Sequence, residues 1–163
     1  MPIIGSNPSS VFTTSTTDGY DNPPVKVGER FVDDKNGKEY VYVKASSAIA
    51  QYDVVTFDET WNTTVAPLST SNDAKGDKVG VAPAAIASGS WGWLQIYGPC
   101  TMNVLASCAA NVALNTTATA GSLDDDGTAS AIQLTGIHLT TARGGTDGSA
   151  AGVLNYPVQA TTL

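Results

Sequence analysis

The sequence is poor in charge, in histidine and in cysteine. Only 14% of its 163 residues are charged, and 8 Lys and Arg face 15 Asp and Glu. No Lys/Arg cluster exists that could track a phosphate backbone, which argues against nucleic-acid binding. The net charge of −7 likewise disfavours docking on anionic membranes. No apolar run approaches the roughly 20 residues of a membrane span. The opening MPIIGSNPSS lacks the basic and apolar regions of a secretory signal, so synthesis in a reducing cytosol is expected. In that reducing setting the pair Cys100 and Cys108 reads as two small buried thiols, not as a disulfide framework.

Scarcity also limits the chemistry. His138 is the single histidine, so a zinc site built on it would need carboxylates brought from afar. A Cys–His or Ser–His pair finds no supporting nucleophile motif such as G-x-S-x-G. Two acids from anywhere in a chain can converge into a hydrolase site, but in a short, Ala/Thr-rich chain this is the weakest alternative. The expectation is a protein that is not an enzyme, with no cofactor and no metal. The run LDDDG at 123 to 127 invites a calcium reading through Asp124, Asp126 and Gly127. With Ser122 as the first loop position, the closing bidentate Glu is replaced by Gln133, so the pattern fails. An acidic hairpin turn is the favoured reading. ARGGTDGSA lacks the strand, helix and Lys of a phosphate loop and reads as a surface loop. The sequons at Asn62 and Asn115 have no expected secretory route.

Thr, Val and Tyr suit pleated surfaces, while Gly, Asn and Asp supply turns. Short apolar runs punctuated by those turn residues predict strands at EYVYVKA, QYDVVTFD, TTVAPLS, the start of KVGVAPAAIA, GSWGWLQIYG and TMNVLAS, with further short apolar runs at CAANVALNTT, TASAIQLTGIHLTTA and AAGVLNYPVQA. No long segment keeps a helical period, although alanines permit a helical turn or two around ASCAANVAL. The fold class predicted is all-β: a small sandwich or barrel-like antiparallel domain with at most short helical turns. Residues 1 to 38 differ from the rest. Pro2, Pro8, Pro23 and Pro24 interrupt a polar stretch with few large apolar side chains. They read as an extended N-terminal arm that orders on a partner, with residues 39 to 163 as the β domain.

The clearest strand is GSWGWLQIYG. Alternation places Trp91, Trp93, Gln95 and Tyr97 on one face and Gly92, Leu94, Ile96 and Gly98 on the other. If the register survives Pro99, the aliphatic face continues through Cys100, Met102 and Val104. A bulge at Gly98-Pro99 would reverse that continuation. The aromatic face suits packing within the chain or against a neighbouring subunit. A carbohydrate platform is the minority reading, since it needs exposed rings and converging polar groups.

The stretch KVGVAPAAIASGSWGWLQIYGPCTMNV resembles capsid decoration, or cement, proteins of tailed bacteriophages. There a V-G-V-A strand leads through small residues to a strand of the type W-G-W-x-Q-x-x-G. The upstream GKEYVYVKASSAIAQYDVVTFD, the downstream NVALNTTATAGSLDDDG and the closing AAGVLNYP share the likeness, over about residues 37 to 157. The resemblance implies a structural virion protein on the outer surface of an icosahedral head. It would bridge major capsid protein subunits, commonly as a homotrimer, with an N-terminal arm on the lattice. Phe12, Tyr20, Pro23 and Pro24 of the arm, and Trp91, Trp93 and Tyr97 of the strand, are the expected subunit or capsid contacts. The alternative is a virion-surface or tail-associated module binding glycans through Trp91, Trp93 and Tyr97.

Overall fold

A computed structural model of the chain describes residues 7–13, 23–57, 66–71 and 74–163. Among the described residues ten strands form: β1 (Arg30–Asp33), β2 (Lys38–Lys44), β3 (Val54–Phe57), β4 (Ala66–Pro67), β5 (Lys78–Val81), β6 (Trp91–Val104), β7 (Leu114–Thr116), β8 (Leu123–Asp124), β9 (Ile132–Leu139) and β10 (Gly148–Thr162). No helix occurs among the described residues, so the protein is all-β as its turn-rich, Thr/Val-rich sequence predicts. The helical turns that alanine permits near residues 106 to 113 are bends and turns instead.

The long strands β6 and β10 organise everything else. Gly148 to Asn155 of β10 pair antiparallel with Val104 to Tyr97 of β6. β10 also pairs with β9, β9 with β7, β7 with β8, and β8 runs parallel to β6 at Val104 and Leu123. The pairings return to their starting strand and close a small barrel, which removes most free edges. Its interior holds Met102, Val104, Cys108, Leu114, Leu123, Leu134, Leu139 and Leu154. Here the sheet is mixed, because of the one parallel pairing.

The first half of β6 belongs to a second layer. Residues 91 to 97 pair with β2, and β5 and β3 complete that side. Val41, Val43, Ile49, Val55, Phe57, Ile86, Leu94 and Ile96 form its aliphatic core. One strand thus serves two cores, with Leu94 and Ile96 in one and Cys100, Met102 and Val104 in the other. The alternation survives Gly98-Pro99. Gly98 takes φ +90°, and a Cβ there would sit 2.1 Å from the Gly37 carbonyl oxygen. Only glycine lets β6 pass the β1–β2 turn at that distance.

Buried polar groups are tied across the layers. Gln159, 1% exposed, donates to Thr56 Oγ1 at 2.9 Å and accepts from the Ala74 amide at 3.1 Å. Asp53 accepts from the Ala50 amide and from Asn103 Nδ2. Such partners offset the desolvation cost of these buried groups.

Part of the segment expected as an arm lies in this sheet. β1 pairs with β2 from Arg30↔Val41 to Asp33↔Lys38, and Phe12 bridges Trp91 through two backbone hydrogen bonds of 2.8 Å.

Candidate functional site

The aromatic face of β6 forms as its alternation predicts, and β2 doubles it. Tyr40, Tyr42, Trp91 and Trp93 make one buried cluster. Tyr42 meets Trp93 edge-on at 5.0 Å, and Phe31 meets Trp93 edge-on at 6.0 Å. Phe12 meets Trp91 edge-on at 5.7 Å, and Lys44 Nζ stands 4.6 Å from the Trp91 ring centroid. Val25, Val27 and Phe31 pack on the same cluster.

Trp91 and Trp93 are therefore only 5% and 3% exposed within a single chain. The cover comes from the chain's own N-terminal segment. Within a single chain the two rings therefore leave little free surface. Gln95 is buried as well. Its Nε2 donates to the Tyr97 and Pro99 carbonyls at 3.0 and 2.9 Å, so it braces the strand bend.

Tyr97 is different, being 38% exposed and stacked on Tyr156 at 5.2 Å with 30° between the ring planes. Tyr156 is 44% exposed and sits where β10 stops pairing with β6, at a register shift between Leu154 and Val158. Its φ is +49°, in the left-handed region that L-residues avoid. The Tyr156 hydroxyl donates to Glu39 Oε1 at 2.7 Å, and the Arg30 guanidinium lies 6.0 Å from its ring centroid. Accepting that bond, the Glu39 carboxylate pushes the Tyr156 phenol above its ordinary value.

The two rings form a ledge between two grooves. One is about 300 Å³ and runs past Arg30, Ile96, Pro157 and Val158 beside Tyr156. The other runs past Pro99, His138 and Val153 beside Tyr97. Tyr and Arg are side-chain types enriched where protein contacts draw most of their energy. His138 lies exposed on β9 opposite Val153. The thiols are unsuited to partner it in catalysis. Burial pushes Cys100 and Cys108 up to about 12, so both stay protonated at neutral pH.

Of the other expected contacts, Phe12 is half-buried on Trp91, Pro23 is half-buried and Pro24 is exposed. Tyr20 lies outside the described residues, as does Trp61. Sequence reasoning missed Tyr156, Arg30 and Glu39. The available signal was the dipeptide Tyr156-Pro157 inside a strand pattern, since proline there marks an irregular position.

No protein-family model matches the chain, and no curated protein matches it in sequence.

Proposed function

We propose that this protein is a structural virion component that docks on the outer surface of an icosahedral capsid and ties major capsid protein subunits together, as a homotrimer. The observation that carries the reading is the Tyr97–Tyr156 ledge: an exposed, strained, aromatic feature with hot-spot chemistry on a rigid closed sheet. The resemblance of the WGW region to decoration proteins of tailed phages supplies the partner. A subunit of this kind needs shape and contact area, not a reactive centre. Trimerisation would let several ledges engage the shell at once and multiply a modest single-site affinity.

The glycan-binding alternative draws less support. Two of its three rings, Trp91 and Trp93, lie under the N-terminal segment.

The test is to add purified protein to expanded capsids that lack it and image the particles by electron microscopy. Regular added density, and loss of that density with Tyr97→Ala/Tyr156→Ala, is the expected result. Wild-type protein that leaves the capsids bare overturns the reading. Full occupancy by the double variant removes the ledge from it.

A further inference from the structure

The acidic run at 123 to 127 does not stand alone. Its residues Asp124 and Asp125 meet Cys108, which arrives from the loop after β6. One ligand atom of each lies within 4.8 Å of the other two. Cys108 is fully buried, and the two carboxylates are half-buried. The loop bearing Cys108 is held by the main chain: the Leu105 amide donates to the Leu123 carbonyl and the Asn111 amide to the Leu139 carbonyl, both at 2.9 Å. The Asp125 amide donates to Asp124 Oδ1 at 3.0 Å, which fixes the turn.

A second observation comes from β7. Asn115 lies directly opposite Asp124 in the β7–β8 pair, so the two side chains leave the same face. Asn115 is 3% exposed, and its Nδ2 donates to the Asp125 carbonyl at 3.2 Å. That bond fixes which way the amide faces. Its Oδ1 is buried and has no hydrogen-bond partner, alone in that respect among the described residues. An orphaned buried acceptor of this kind is destabilising unless a donor or a cation meets it.

We propose that Cys108, Asp124, Asp125 and Asn115 Oδ1 form a binding site for a divalent cation of the zinc class. A thiolate, two carboxylates and an amide oxygen make a four-donor set. The thiolate favours zinc-like ions over calcium or magnesium. Tetrahedral zinc holds its donors roughly 3.5 Å apart, so a movement of about 1 Å closes the three clustered atoms around an ion. Binding releases the Cys108 thiol proton to solvent, leaving three formal negative charges against the two positive charges of the cation. It also gives the Asn115 oxygen its missing partner. The ion would pin the loop after β6 to the β7–β8 hairpin, at one end of the barrel.

The experiment is titration of the metal-free 163-residue chain with Co²⁺ and then Zn²⁺, read by absorption and calorimetry. Expected is uptake of one Co²⁺ with a thiolate-to-metal charge-transfer band, displaced by one Zn²⁺. Cys108→Ser should remove the band and weaken binding about 100-fold or more, and Asn115→Ala should weaken it about tenfold. Cys100→Ser should leave both unchanged. If Cys108→Ser does not fold, Asp125→Asn serves, because its side chain is half-buried. No stoichiometric uptake overturns the site, as does a cobalt spectrum lacking the thiolate band. So does an Asn115→Ala protein that binds like wild type, since a buried water would then account for the orphaned oxygen.

Discussion

Tyr156 folds back over Tyr97 at the residue where their strands part. Asn155 still pairs with Tyr97, and the next residue takes φ +49° to stack its ring 5.2 Å from the Tyr97 ring. A left-handed tyrosine costs about 1–3 kcal/mol, so its neighbours must hold it. The Glu39 hydrogen bond and buried Pro157 do so.

The strain makes a separable prediction. Asparagine tolerates the left-handed region, so Tyr156→Asn relieves strain while losing a ring pair worth about 0.5–1.5 kcal/mol. Stability in urea should change by less than about 1 kcal/mol. Capsid occupancy should fall at least about tenfold, the effect of losing one aromatic anchor. A stability loss above about 3 kcal/mol would make Tyr156 an ordinary packing residue.

Trp93 and Tyr97 share a strand face but should behave oppositely. Trp93→Ala empties a filled site and should cost about 3–5 kcal/mol in denaturant unfolding. Tyr97→Ala, on an exposed ring, should cost about 1 kcal/mol or less. Equal losses would contradict the division of this face into a covered and an open part.

Gly98→Ala tests the crossing of β6 over the β1–β2 turn. The new Cβ would meet the Gly37 carbonyl oxygen at 2.1 Å in a backbone with φ +90°. The expected loss is on the order of 3 kcal/mol, measured by thermal or urea unfolding. Gly144→Ala is the control, because nothing lies within 4 Å of its Cβ position.

The thiols predict a dependence on alkaline pH. Burial raises both from an ordinary 9.0 to about 12 in the folded chain. A group raised on folding stabilises fully below its unfolded value, and that contribution is lost as pH rises towards the folded value. Stability should therefore decline between about pH 9 and 12 from this source, and Cys100→Ala/Cys108→Ala should flatten that part of the curve. At pH 8 a thiol reagent should label the native, metal-free protein slowly and the guanidinium-unfolded protein at once. Fast native labelling would contradict the burial.

Much of the strand content was legible. EYVYVKA, QYDVVTFD, KVGVAPAAIA, GSWGWLQIYG and TASAIQLTGIHLTTA each alternate or run apolar over short lengths, and each contains a strand. The split of Leu94 and Ile96 from Trp91 and Trp93 follows from the period of a strand alone. The union of WGWLQIYG with TMNV into one 14-residue strand was less visible, because Gly98-Pro99 reads as a break. The ledge was half visible: Tyr97 by alternation, Tyr156 only through its proline. The Cys108–Asp124–Asp125 cluster was hidden, since the calcium spacing failed and nothing local linked Cys108 or Asn115 to the acidic turn.

The sequence by itself determined the all-β class, the two faces of the WGW strand and the absence of a recognisable catalytic motif, because these depend on residue type and local period. Tertiary structure decided what those faces meet. It closed β6 and β10 into a barrel with β9, β7 and β8, and laid Phe12 and Phe31 over Trp91 and Trp93. It also left Tyr97 open beside Tyr156. The physical reason is that burial is set by which distant segments share a surface, and an alternating strand fixes the direction of a side chain but not its neighbour.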